Sequence, residues 1–339
     1  MASTEPQHNK KRGFLGIFIS LAALVIVFQF FDTRQVIEAL QGANWRTLLL
    51  ALFIYGAAYL LRARAWHLIL MEEVSFSSVF LIMHIGYFLN NTLPFRLGEL
   101  GRAYLLGRRG LGFWRVFSTI LIERALDMAF AAGLLLGTLP LVLEIPYAQQ
   151  SALIVGTIVI IGLTILYILA LNRSWAVAQF ERWGVRLPWL HRLGADRLNA
   201  FFDGLSALTS FSRFFRVISW LGFSWVMNIF VQYLILRAFL PSAQFLWAAF
   251  SVGATSLSVA VPSSPGFIGV YEASIVGALA LLGVSTAVAF AYALTAHFFY
   301  YLVTGIFGGY GLSREEESLK DIFRAIKRIK PQKTLNLNQ

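Results

Sequence analysis

Long apolar runs alternate with short polar stretches along the chain, and two of the runs are interrupted part-way. Residues 14–31, 47–61, 116–143, 151–171, 217–240 and 286–311 are nearly continuous apolar stretches. About 20 residues cross the hydrocarbon core as a helix, so these runs predict about six spanning helices. Two further runs are broken. Residues 76–93 lead into Asn90-Asn91-Thr92-Leu93-Pro94-Phe95-Arg96-Leu97-Gly98-Glu99-Leu100-Gly101-Arg102, and 97–106 lead out of it. Residues 245–261 lead into Pro262-Ser263-Ser264-Pro265-Gly266-Phe267-Ile268-Gly269-Val270-Tyr271-Glu272, and 273–282 lead out. Lipid-exposed irregular backbone is not viable in hydrocarbon, so each break is expected to face protein or a wet cavity. Both read as the tips of re-entrant hairpins.

The polar segments fit this frame. Residues 1–13 end in Lys10-Lys11-Arg12, and 32–46 read as a short mixed-charge loop. Residues 14–31 read as a retained helix rather than a signal peptide, because no small-x-small site follows. Residues 172–216 carry Leu198, Phe201, Phe202, Leu205 and Leu208 at helical spacing. That stripe suits a helix in the cytoplasmic membrane interface. The tail, 312–339, places Leu319, Ile322, Phe323, Ile326 and Ile329 at helical spacing among lysines and arginines, as a basic helix on an anionic leaflet would. For both stripes the alternative is packing on the protein's own cytoplasmic face.

Composition sharpens the class. The chain is 58% hydrophobic and 13% charged, against about 25% charged in soluble domains. The fold expected is an all-α polytopic membrane protein with a single membrane domain over residues 14–311. There is no cysteine, hence no disulfide framework, thiolate metal site or thiol nucleophile. His8, His67, His84, His191 and His297 lack metal-ligand spacing. No cofactor, metal or catalytic motif is expected. The net charge of +11 would suggest nucleic acid in a soluble protein. Here its distribution argues for membrane topology instead. With the N-terminus in the cytoplasm and both breaks returning to the side they entered, most Lys and Arg fall on one side. Arg34 and Arg46 fall on the other, and Arg96, Arg102, Arg124 and Arg237 at membrane depth. The positive-inside rule then places both termini in the cytoplasm and the protein in the cytoplasmic membrane.

This topology contains a repeat. Residues 14–143 read span, span, hairpin, span, and so do 151–311, with opposite orientation. Two Gly/Pro-interrupted segments in corresponding positions point to a transporter's midplane site. Glu99 and Glu272 each fall near the start of a returning half-helix, where the helix dipole favours a carboxylate. Arg96 and Arg102 flank Glu99. Their forked guanidinium groups suit phosphate oxygens, or they snorkel and cap the hairpin. Asn90, Asn91, Ser263 and Ser264 can satisfy broken backbone or touch a headgroup. Glu123 and Asp127 share a helix face, and Arg124 can pair with Asp127 three residues on. That cluster either locks the helix or floors the cavity, and Glu99 or Glu123 could couple a proton. His84 and His297 read as packed histidines, His297 with a weaker claim to a relay. Arg237 reads as snorkelling.

At these motifs the sequence resembles the flippase-like membrane domain family, which includes the transmembrane part of lysylphosphatidylglycerol synthases. The resemblance rests on residues 90–102, on Glu123-Arg124 with Asp127, and on Pro262, Pro265-Gly266, Gly269 and Glu272. It implies a lipid-translocating or lipid-handling domain. It makes Pro94, Arg96, Gly98, Glu99, Arg102, Glu123, Arg124, Asp127, Pro265, Gly266, Gly269 and Glu272 the expected substrate-binding positions. The synthases' large soluble aminoacyl-transfer domain has no counterpart in the short stretch after Leu312, so the resemblance implies a stand-alone form. A transporter of phospholipid or polyprenyl phosphate is the leading expectation, with membrane lipids as partners and no nucleic acid. A membrane-embedded lipid-phosphate transferase or hydrolase, and a proton-coupled small-solute carrier, are the alternatives.

Overall fold

The computed structural model describes residues 32–93, 96–143, 148–172, 195–205, 209–260, 264–315 and 319–328, with scattered positions between 174 and 182. The run 14–31, Pro94, Leu208, Pro262, Ser263 and Ile329 lie outside the described residues.

Every described element is helical. In chain order these are α1 (Thr33–Gly42), α2 (Trp45–Ile69), α3 (Phe76–Thr92), α4 (Leu97–Leu106), a π turn (Gly107–Leu111), α5 (Phe113–Val142) and α6 (Ala148–Leu171). Then follow α7 (Ala195–Leu205), α8 (Phe211–Phe239), α9 (Phe245–Ser258), a 3₁₀ turn (Pro265–Phe267), α10 (Val270–Ala280), α11 (Thr286–Glu315) and α12 (Leu319–Arg328). By length and apolar content α2, α5, α8 and α11 can each cross a membrane. Helix α6 spans 24 residues and exposes Leu153, Ile154, Ile160, Ile161, Ile165 and Ile168, as a lipid-facing helix does. The protein is an all-α polytopic membrane protein.

Two elements differ from the expectation, and a third takes one of the two alternatives open to it. The mixed-charge loop at 32–46 contains helix α1. Asp32 caps it, accepting from the Arg34 amide at 2.8 Å, and Val36, Ala39 and Leu40 pack on Ala287, Phe290 and Ala291 of α11. The apolar stripe was there, with charges interleaved on the solvent face. Helix α2 does not stop at Arg62 but continues to Ile69 through Ala63, Ala65, Trp66 and Leu68, all buried. Helix α7, which carries Phe201, Phe202 and Leu205 of the stripe, packs on α5. Phe202 and Leu205 are buried, and a Cβ at Gly204 would strike the Ser118 hydroxyl and the Arg115 carbonyl.

Helices α3 with α4, and α9 with α10, form two helix–break–helix hairpins. Arms of 17, 10, 14 and 11 residues are at most about 25 Å long at 1.5 Å per residue, short of the roughly 30 Å hydrocarbon core. Each break carries a non-glycine residue in the left-handed region, Arg96 at φ 52° and Phe267 at φ 63°, a conformation that costs free energy away from glycine. Helix α2 packs along α8. The first hairpin packs on α11 and the second on α5.

The amphipathic helix α12 lies against α4, with Ile322 fully buried and its Cγ2 3.6 Å from where a Gly101 Cβ would sit.

Candidate functional site

The two breaks meet. The Arg96 guanidinium lies 5.2 Å from the centre of the Phe267 ring and donates to the Val259 carbonyl at the end of α9. The two strained non-glycine residues are therefore stacked on each other. Beside them is a cavity of about 460 Å³. Its charged walls are Arg62, Arg96, Arg124, Glu99 and Asp127, and its aromatic walls include Tyr55, Tyr59, Tyr87, Trp225, Tyr271 and Tyr300.

The first break is fixed by its own backbone. Arg96 is the left-handed N-cap of α4. The Gly98 amide donates to Asn90 Oδ1 at 2.8 Å, so Asn90 satisfies an orphan donor of the returning helix. A Cβ at Gly98 would fall on the Gly86 carbonyl oxygen, so the two arms are in backbone contact. Asn91 points elsewhere and donates to Thr304 Oγ1 on α11 at 3.0 Å.

Glu99 sits in the first turn of α4, three residues after the N-cap. Its Oε1 lies 3.8 Å from Arg96 and 3.9 Å from Arg124. Glu272 holds the same place in α10, three residues after Gly269. Its Oε2 accepts from the Gly269 amide at 2.7 Å, which is the reciprocal half of a capping box.

Behind Glu99 is an ion cluster. Glu123 contacts Arg102 at 2.5 Å, Arg62 at 3.1 Å and Arg124 at 3.3 Å. Asp127 pairs with Arg62, with Arg124 at 3.0 Å, and accepts from the Trp225 indole at 3.2 Å. Arg62 also donates to Tyr87 at 2.8 Å. Charges away from water are tolerated when paired and hydrogen-bonded, and here they tie α2, α4, α5 and α8 together. Counted formally, Arg62, Arg96, Arg102 and Arg124 face Glu99, Glu123 and Asp127, leaving one positive charge in excess. The Nε atoms of Arg96 and Arg124 are buried donors without a hydrogen-bond partner among the described residues.

Of the expected positions, Asn90, Arg96, Glu99, Arg124 and Asp127 line the cavity. Arg102 does not. It is 1% exposed, held between Glu123 and the Trp66 ring, which lies 3.8 Å from its guanidinium carbon. Expected beside Glu99 on the cavity wall, it belongs to the core: Arg96 leaves from the left-handed cap before α4 begins, whereas Arg102 leaves from within the helix, where Glu123 and the Trp66 ring hold it. Glu123 and Glu272 are likewise buried behind the wall. Gly98, Gly266 and Gly269 shape the backbone, the last two at φ 65° and 89°, and Pro265 opens the 3₁₀ turn. Arg62, Trp225, Phe267 and the tyrosines were missed. A tyrosine pair at 55 and 59, one helical turn apart in an apolar run, was the available signal.

Two curated relatives carry no more specific name than membrane protein. A UPF0104 membrane protein of Methanothermobacter thermautotrophicus is 23% identical over 288 residues, covering 81% of this chain and 84% of the relative. UPF0104 membrane protein MJ1595 of Methanocaldococcus jannaschii is 25% identical over 166 residues, 45% of this chain and 48% of that protein. No solved structure matches. The model of the lysylphosphatidylglycerol synthase TM region matches residues 13–308, which takes in both breaks, the ion cluster and the cavity. The chain belongs to that family.

Proposed function

We propose that the protein moves a phosphate-bearing lipid across the cytoplasmic membrane, its headgroup passing through the cavity between the two breaks while its tails stay in the bilayer. The observation that carries this reading is the guanidinium excess at the cavity, where Arg62, Arg96 and Arg124 face Glu99 and Asp127. Arginine forks recognise phosphate oxygens and shed water more readily than lysine. A route for tails is compatible with the surface. Met128 lines the cavity and is exposed, and Leu121 on α5 and Phe223 and Val226 on α8 are also exposed apolar side chains. The family's name, that of a phospholipid-modifying enzyme's membrane region, agrees with lipid handling.

The breaks read as re-entrant tips of an inverted repeat. Packing supports this, because each hairpin rests on the last long helix of the other half. The acid–base pairing supports it too. Glu99 faces Arg124 and Glu272 faces His297, each pair 25 residues apart in sequence. The arginine distribution favours cytoplasmic termini.

The test is reconstitution into vesicles of phosphatidylglycerol and phosphatidylcholine, with leaflet exchange followed by quenching of a headgroup-labelled lipid. Anionic lipid is expected to move faster than zwitterionic. Arg96→Gln is expected to slow it about tenfold or more, the worth of one charge-assisted hydrogen bond. Equal rates for both lipids, or an unchanged rate in Arg96→Gln, would overturn the reading.

A further inference from the structure

We propose that Glu272, His297 and the Gly266 carbonyl form a proton-binding latch that holds the second break closed, and that release of its proton frees that break. As the coupling site of transport it rests on the function proposed above; as a latch it stands on geometry alone.

The geometry counts the proton. His297 Nε2 lies 2.9 Å from the Gly266 carbonyl oxygen. A carbonyl only accepts, so this nitrogen carries hydrogen. His297 Nδ1 lies 2.5 Å from Glu272 Oε1. That contact needs one more hydrogen, on the ring nitrogen with an ionised carboxylate or on the carboxyl with a neutral ring. Both arrangements hold the same single proton. Without it the ring has one hydrogen for two acceptors, so a nitrogen lone pair faces either the Glu272 carboxylate or, in the other tautomer, the Gly266 carbonyl, and that contact becomes repulsive.

The latch acts on the break. Gly266 has φ 65°, and a Cβ there would strike the Tyr301 hydroxyl. Its carbonyl also accepts from Tyr301 at 3.1 Å. The other oxygen of Glu272 caps α10 through the Gly269 amide. One carboxylate and one imidazole therefore hold both glycine hinges of the break. Glu272 and His297 are each 4% exposed, yet His297 forms part of the cavity wall, so a path for the proton begins at the cavity. When the proton leaves, the N–H or O–H bond breaks, its electron pair stays on that atom, and water or a ligand oxygen in the cavity takes the proton.

Few other groups compete for it. The ring is sandwiched by Tyr271 of α10 and Tyr301 of α11, centroids 4.3 and 4.6 Å away, with Tyr300 at 6.2 Å. Helix α9, packed on α10, bears no titratable side chain. Helix α3 presents Tyr87 to Tyr300 and packs His84 against Phe307. Helix α2 contributes Tyr55, Tyr59 and Arg62 to the same cavity, and Arg62 is taken by Glu123 and Asp127. Helix α8 turns Gln232 to Tyr292 and keeps Tyr233 on Arg237. On α1, Arg34 pairs with Glu38 in solvent. Arg96 of the first break stacks on Phe267.

The chain has no cysteine, so single introduced thiols report cleanly. Ile268, 45% exposed on the second break, is changed to Cys and labelled with a membrane-impermeant maleimide, normalised to Gln41→Cys on exposed α1. As pH is raised stepwise from about 5 to about 9 the normalised rate is expected to rise about fivefold in one step, the effect of one lost hydrogen bond. With His297→Gln or Glu272→Gln added, the rate should no longer change with pH. An identical slope in all three backgrounds would overturn the latch. Nitrogen-15 spectra of His297 in the unsubstituted protein give a second readout that needs no folded variant. The dyad should lose one proton over the range where labelling rises. A singly protonated ring beside an ionised carboxylate throughout would refute it. In vesicles that move lipid, a pH gradient should alter the rate, and His297→Gln should remove that response; a wild-type rate indifferent to the gradient would overturn coupling. If vesicles move no lipid, the transport reading fails, while labelling and spectra still decide the latch.

Discussion

Glu123→Gln separates the scaffold from the site. The Glu123 side chain is 2% exposed and its Oε2 lies 2.5 Å from Arg102, itself 1% exposed. Glutamine keeps the shape and one acceptor but removes the charge, leaving four guanidinium groups against two carboxylates. Removing one partner of a buried pair costs about 3–5 kcal/mol. The retained acceptor argues for the lower end, about 3 kcal/mol, which raises the unfolded-to-folded ratio roughly 150-fold at 1.4 kcal/mol per decade. Glu99→Gln is the control. Its carboxylate is 19% exposed and lies 3.8 and 3.9 Å from its arginines, so about 0–1 kcal/mol is expected. The assay is the fraction surviving as monodisperse protein on size exclusion after a graded heat challenge in mild detergent. Arg102→Gln with Glu123→Gln completes a double-mutant cycle, and the pair should lose clearly less than the sum of the single losses. A Glu123→Gln protein as robust as the parent, or a Glu99→Gln protein equally weakened, would refute this division of roles.

Two further outcomes follow from the packing. Gly98→Ala places a methyl on the Gly86 carbonyl, a clash with backbone that cannot yield locally; a loss of at least about 1–3 kcal/mol is expected in the same heat challenge. Ile322→Asp puts a charge where a fully buried side chain packs on α4; α12 should undock, seen as faster trypsin cleavage at Lys320 and Arg324 with the membrane helices intact.

The polar breaks were legible because proline, glycine and glutamate inside an apolar run have few structural readings. The positions of Glu99 and Glu272 followed from the same signal, since a glycine or a left-handed residue before a helix fixes where its first turn begins. The role of Arg62 is not legible in the sequence, for a physical reason. An arginine at the end of an apolar run looks like an interface anchor until its carboxylate partners, 61 and 65 residues later, are known. Arg96 and Arg102 flank one glutamate in sequence but leave the backbone from a left-handed cap and from a helix, so one reaches the cavity and the other the core. The aromatic wall draws on α2, α3, α8, α10 and α11, and no local pattern assembles it. His297 read as a packed histidine. Its two acceptors come from a helix and a turn that only the fold brings to it.

The cross-packing of the hairpins decides which parts can swing together. Cβ atoms at Gly308 and Gly253 would strike His84's carbonyl and Leu135's backbone respectively, so α11 is fastened to α3 and α9 to α5 at near-backbone distance. The halves of the sequence are therefore interlocked, and moving one half as a body past the other would break these near-backbone contacts.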